Sequence, residues 1–190
     1  MKYLLALFSL CKPNIILSVG LTGFTGMILA SKSLPDSELI TFTLLSLIFS
    51  AAGSAIINNI IERKKDELME RLAKRVEALK MVGIKSASFF ASLLITFSLG
   101  LSYFFVNTTN CILIVIAILS YTVYYTLFLK RSSPFGTVLG GIPGALPVII
   151  GFSSIEPNIS KNYIEVLVLF IFMMLWQPPH FWALAQHLAD

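Results

Sequence analysis

Charge is what this chain has least of. Of its 190 residues, 14 are Lys or Arg and 10 are Asp or Glu, so 13% are charged, against about 25% in ordinary soluble domains. With 56% hydrophobic residues and a mean hydropathy of +0.84, a water-soluble fold of this length would expose too much apolar surface. Cysteine is nearly absent. Cys11 and Cys111 stand alone with no CxxC pair, which excludes a disulfide framework and leaves both as small apolar fillers. There is no internal repeat, no heptad pattern and no low-complexity tract. The strict alternation of a membrane β-barrel is missing as well. The formal charge of +4 does not point to nucleic acid, because the basic residues flank the apolar runs, where they orient a membrane chain.

Long uncharged runs are what the chain has instead. Residues 13–31, 39–61, 86–129, 132–155 and 166–189 contain no Asp, Glu, Lys or Arg, and a spanning helix needs about 20 apolar residues. The run at 86–129 divides at the polar turn Asn107-Thr108-Thr109-Asn110. The expectation is therefore a single all-α membrane domain over 1–190, a polytopic helical bundle with spans near 14–31, 39–61, 86–106, 111–129, 134–153 and 164–188. Helices are required because lipid offers no partner to an open backbone. The opening MKYLLALFSLCKP reads as an interfacial segment entering the first span. Leu10, just before Cys11, is too large for a signal-cleavage site. With the N-terminus placed in the cytoplasm, twelve Lys and Arg fall on the inside and only Lys32 and Lys161 outside. This positive-inside bias puts the 62–85 loop and the 130–135 loop in the cytoplasm.

The scarce charge is concentrated. NNIIERKKDELMERLAKR, residues 58–75, is an acidic and basic island at the expected cytoplasmic end of the second span. Asn58, Glu62 and Asp66 are spaced i, i+4, i+8, so on a helix they stack along one face. Two carboxylates and a carboxamide form a row of hard oxygen donors suited to Mg²⁺, which completes its shell with water and substrate phosphate. Arg71, Lys74 and Arg75 follow, and guanidinium groups grip phosphate bidentately. The competing reading is a solvated helix laced by Glu67–Arg71 and Glu70–Lys74 ion pairs.

Two further stretches stand out. YTLFLKRSSPFGTVLGGIPGALPVIIGF, residues 125–152, carries Lys130 and Arg131 and then a Gly- and Pro-rich span. Pro134 marks a helix start, and Pro143 and Pro147 invite bends. Gly140, Gly141 and Gly144 allow either close helix packing or room for a flat ligand. Lys130 and Arg131 are either membrane-edge anchors or contacts for an anionic ligand. LWQPPHFWALAQHLAD, residues 175–190, contains Pro178-Pro179, which is expected to break the helix. His180 follows at once, with His187 two turns on and Asp190 after it. His180 is either a hydrogen-bonded core residue or, with Trp176, Phe181 and Trp182, part of a pocket for a planar ring system. Neutral imidazole can also ligate heme iron.

Asn58-xxx-Glu62-xxx-Asp66-xx-Met69-x-Arg71 resembles the first Asp-rich motif of the UbiA-type intramembrane prenyltransferases. It is most similar to the heme O synthase branch, whose pattern is NxxxDxxxDxxMxRTxxRP. Glu62 replaces an Asp, Leu72 a Thr and Val76 a Pro. The stretches GGIPGALP and QPPHFWALA also resemble that branch, as does KPNIILSVGLTGFTGMILA near the N-terminus, so the likeness runs along essentially the whole chain.

The resemblance implies a nine-helix bundle in the cell inner membrane, of which this chain would hold six helices. It implies transfer of the farnesyl group from farnesyl diphosphate to a vinyl group of heme B, giving heme O and diphosphate. It assigns Mg²⁺ to Asn58, Glu62 and Asp66. Diphosphate or heme contacts go to Arg71, Arg75, Lys130, Arg131, Trp176 and His187, and His180 is assigned to heme placement or proton handling. Asp190 would be the first acid of a second acidic motif that is cut there, so residues 1–190 alone are expected to be inactive. Heme A synthase and oxidase assembly factors are the implied protein partners. Two other readings are a prenyltransferase for a quinone or phenolic acceptor, and a degenerate membrane protein without activity.

Overall fold

The computed structural model describes residues 1–129 and 140–187, with only the backbone of Leu129, Phe181 and 184–187. Lys130, Arg131 and Asp190 therefore lie outside the described residues, as does Pro134. Among the described residues eight helices follow in order: α1 Lys2–Leu10, α2 Pro13–Ser31, α3 Ser37–Asp66, α4 Ala73–Val82, α5 Ile84–Phe105, α6 Thr108–Leu119, α7 Gly141–Ile155 and α8 Tyr163–His187. A 3₁₀ turn, Glu70–Leu72, links α3 to α4, and α6 continues as a π-helical segment, Ser120–Leu129. No strand occurs among the described residues.

Local chemistry sets the helix ends. Pro13 occupies the first turn of α2, and it disfavours helical φ/ψ at the residue before it. Lys12 sits in the left-handed region (φ 57°, ψ 67°), outside helical values, and separates α1 from α2. Asp36 caps α3, its carboxylate accepting from the N–H groups of Glu38 (2.9 Å) and Leu39 (3.4 Å). At 30 residues, α3 is about 45 Å long at 1.5 Å per residue. A hydrocarbon core is about 30 Å thick, so α3 overshoots it, and its last turns carry the charged island.

Among the described residues five helical stretches are long and apolar enough to cross a membrane: Pro13–Ser31, Ser37–Asp66, Ile84–Phe105, Thr108–Phe128 and Tyr163–His180. α7 is apolar but has only 15 described residues. Large apolar side chains such as Phe89, Phe97, Phe104 and Phe172 face outward, as a lipid-facing surface requires.

Inside the bundle, small and polar residues let backbones approach. A Cβ on Gly26 would overlap the Val148 carbonyl, and one on Gly151 would overlap that of Gly23, so α2 and α7 cross in direct backbone contact. Ser98 of α5 donates to the Ser46 carbonyl of α3 at 2.6 Å. In the 107–110 turn the buried Asn110 acts as a lock. Asn110 accepts from Ser102 (2.8 Å) and donates to the Ile150 carbonyl (2.6 Å) and to Ser153 Oγ (3.2 Å), tying α5, α6 and α7.

The expected break at Pro178-Pro179 does not occur. α8 runs unbroken through both prolines. Each proline removes one N–H donor but leaves helical φ accessible, and α7 covers the exposed backbone. Gly141 lies against the Met174 carbonyl, the acceptor that Pro178 cannot serve. Gln177 donates from Nε2 to the carbonyls of Gly141 and Met173, both at 3.1 Å. Of the two roles open to Gly141 and Gly144, close packing is the one observed. Gly141 meets Met174, and Gly144 meets the carboxamide of Gln177.

Candidate functional site at the charged end of α3

Asn58, Glu62 and Asp66 are all buried, at 2%, 6% and 5% exposure, although they belong to the most polar stretch of the chain. Their spacing puts them on the inward side of α3, while Lys64, Lys65 and Glu67 face out. Burial of two carboxylates at a membrane boundary is costly unless cations accompany them. The structure supplies those cations from two directions.

The first comes from the α1–α2 junction. Lys12 Nζ makes a short hydrogen bond to Asn58 Oδ1 and lies 3.5 Å from Tyr121 Oη. Asn58 Nδ2 donates in turn to Glu62 Oε2 (3.0 Å) and to Thr126 Oγ1 (3.1 Å). Thr126 Oγ1 donates to the Tyr121 carbonyl five residues back, at 2.7 Å. That i to i+5 relation is the one a π-helix creates, and it presents Tyr121 and Thr126 together towards α3.

The second comes from α4. Arg75 approaches Asp66 at 3.9 Å, with the guanidinium about one-third exposed. Both border a cavity of about 380 Å³ between α3, α4 and α5, whose wall also includes Asn59, Arg63, Glu67 and Lys80. Asn59 Nδ2 donates to the Leu10 carbonyl at 2.8 Å, fixing α1 against α3.

The Glu67–Arg71 and Glu70–Lys74 pairs of the competing, solvated-helix reading do not form. Glu67 pairs with Lys80 at 3.2 Å instead, because the turn at 67–72 ends α3 and redirects the chain into α4. Arg71 lies exposed in that turn. Arg75, not Arg71, is the arginine brought to the carboxylate row.

His180 and Trp176 are neighbours on α8, their rings stacked at 4.7 Å with planes 13° apart. Both are largely exposed on the helix. The backbone of His187 is helical, and its side chain is outside the description.

Lys12, Tyr121, Thr126 and Gln177 were not singled out by the sequence reading. The polar hydroxyls of Tyr121 and Thr126 within an uncharged run were an available signal. Lys12 reads in the sequence as a topology charge, and its left-handed backbone is visible only in the structure.

The donor chemistry of this row is of the kind a hard divalent cation takes. Two buried carboxylates and a carboxamide oxygen share one helix face, and the carboxamide oxygen already holds a positive group, the Lys12 ammonium. Among the described residues no group of three or more His, Cys, Asp and Glu side chains is placed to hold a metal ion.

Fold and site together define an all-α, multi-span membrane protein with a carboxylate and base cluster at one end of its longest helix. Residues 19–190 match the UbiA prenyltransferase family, and the chain belongs to that family. It is 44% identical over 159 residues to the protoheme IX farnesyltransferase of Geotalea uraniireducens, covering 84% of this chain and 60% of that protein. It is 40% identical over 181 residues to the protein of the same name from Aquifex aeolicus, covering 95% and 61%. A Legionella pneumophila relative, also so named, is 36% identical over 176 residues, covering 93% and 59%. The chain thus spans about 60% of the length of these relatives. No solved structure matches it.

Proposed function

We propose that the whole protein is a protoheme IX farnesyltransferase, moving the farnesyl group of farnesyl diphosphate onto a vinyl group of heme B to give heme O and diphosphate. The observation that carries this reading is the buried row Asn58–Glu62–Asp66 with Arg75 beside it, in a chain whose relatives bear that name.

In this reading Asn58, Glu62 and Asp66 hold Mg²⁺, which supplies charge neutralisation to the diphosphate when bound. Arg75, with Arg71 swung in from the turn, takes phosphate oxygens and stabilises the charge that grows as the C1–O bond breaks and its electron pair leaves with diphosphate. The terminal vinyl carbon of heme B bonds to C1 of the farnesyl group. Water adds to the resulting cation next to the ring and loses a proton. The apolar bundle shields the allylic cation from bulk water. His180 and Trp176 present a flat stacked surface suited to orienting the porphyrin, and His187, Lys130, Arg131 and Asp190 complete the substrate contacts. The charged end faces the cytoplasm of the cell inner membrane, following the distribution of Lys and Arg. Heme A synthase and oxidase assembly factors are the partners that this product suggests.

The test is product analysis by mass spectrometry. The whole protein, supplied with farnesyl diphosphate and Mg²⁺, is offered heme B or a phenolic acceptor. Heme O as the product supports the reading. Prenylation of the phenol alone, or of neither, contradicts it.

A further inference from the structure

The carboxylate row contains a cation of the protein's own, and its placement bears on how a metal ion enters. Lys12 is one of two non-glycine residues with positive φ among those described, a conformation that costs about 1–2 kcal/mol for an L-residue. Strain of this kind persists only where surrounding structure enforces it. Here α1, docked through Ala6 and Leu10 onto Ala78, Leu79 and Val82, and Pro13 on the other side fix the backbone. The side chain is thereby delivered to Asn58 Oδ1.

The Asn58 carboxamide is not free to turn. Its Nδ2 is committed to Glu62 and to Thr126, so Oδ1 faces Lys12, and a flip would forfeit both bonds. Oδ1 is also the only side-chain atom of Asn58 able to ligate a hard cation. Ammonium and metal ion therefore compete for one oxygen.

Charge decides that competition. Glu62 and Asp66 contribute two negative charges against Lys12 and Arg75, and the cavity wall beside Asp66 adds Arg63 and Lys80 against Glu67. A bare divalent ion added beside these buried carboxylates, whose charge the neighbouring bases already offset, leaves uncompensated positive charge, which a partly desolvated site penalises. A divalent ion arriving with a prenyl diphosphate brings its own counter-charge. The displaced ammonium, on a flexible four-carbon stem, can then turn to the diphosphate oxygens.

We infer that Lys12 is a resident counter-cation that makes metal binding conditional on prenyl diphosphate. The inference rests on the proposed role of the row, and it adds an order of binding to that role.

The test uses Mn²⁺ as probe, its free concentration read by electron paramagnetic resonance. The purified whole protein is titrated with and without the unreactive farnesyl thiodiphosphate. The wild type should bind Mn²⁺ at least about tenfold more tightly when the analogue is present, a coupling of about 1.4 kcal/mol. Lys12→Met should bind Mn²⁺ alone about tenfold more tightly than the wild type and bind the analogue more weakly. Lys12→Gly, which also relieves the left-handed backbone, should behave like Lys12→Met. Lys12→Arg should restore the dependence. A purely structural role for Lys12 would weaken both ligands together. Variants that bind Mn²⁺ alone no more tightly than the wild type overturn the inference. Heme O formation is measured in parallel. Activity with unchanged Mn²⁺ affinity refutes the lock and leaves the transfer reading standing. The predicted Mn²⁺ pattern without heme O does the reverse.

Discussion

The ammonium of Lys12 donates to the carboxamide oxygen of Asn58, 46 positions further along the chain. This bond joins the entry to the first long helix with the charged end of the second. Asn58 then passes the connection to Glu62 on its own helix and to Thr126 on the π-helical segment. Three separate parts of the chain thus meet at one side chain, which makes the row of oxygen donors a tertiary construction and not merely a helical stripe.

Asp66→Asn removes the carboxylate that faces Arg75. The pair is 3.9 Å apart and Arg75 is partly exposed, so the stability cost should stay within about 1 kcal/mol. Heme O formation by the whole protein should fall about 100-fold, the scale of losing one preorganised charge-stabilising group. Thermal unfolding and product quantification on the same preparation separate the two effects.

Gly144→Ala places a methyl group into the Gln177 carboxamide, forcing it off the Gly141 and Met173 carbonyls. The expected loss is about 1–2 kcal/mol in stability. Gln177→Ala removes the obstruction, so the glycine substitution should cost almost nothing in that background. A double-mutant cycle in detergent measures this non-additivity.

Asn110→Leu deletes the buried hub between α5, α6 and α7 and leaves the Ser102 hydroxyl without its acceptor, while the Ile150 carbonyl keeps only Ser153 Oγ as its side-chain donor. A destabilisation of about 1–2 kcal/mol is expected, read as a lower unfolding midpoint. Activity per folded molecule should persist, because the turn lies at the opposite end of α6 from Tyr121 and Thr126.

Cys11 is half-buried where α1 meets α2, its thiol donating to the Leu7 carbonyl at 3.4 Å. Burial pushes its pKa up, so less thiolate is present at any given pH and thiolate-directed alkylation is slowed. In a Cys111→Ser background, maleimide labelling at pH 7 should be slower than for a free thiol and should accelerate as pH rises. Fast labelling at neutral pH would mean that α1 is not docked on α4.

Much of this was legible in the sequence because membrane solvation leaves few options. Uncharged runs had to be helices, and the i, i+4, i+8 spacing had to align Asn58, Glu62 and Asp66. What periodicity could not convey was the contribution of distant segments. Lys12 reads as a topology charge until the backbone before Pro13 aims it at Asn58. Arg71 and Arg75 look equivalent in sequence, and only the turn at 67–72 selects Arg75. Pro178-Pro179 reads as a break because sequence alone cannot show Gly141 and Gln177 covering the backbone it exposes. The π-helical winding that unites Tyr121 with Thr126 has no simple hydrophobic signature.

The central claim is that the buried oxygen row on α3 holds a divalent ion that neutralises a diphosphate leaving group. The most direct measurement is the initial rate of heme O formation by the whole protein against Mg²⁺ concentration, for the wild type and Glu62→Gln. The account predicts a saturable Mg²⁺ requirement that a chelator abolishes, and a loss of about 100-fold or more in the variant. A wild-type rate indifferent to chelator, or a Glu62→Gln rate equal to wild type, would contradict it.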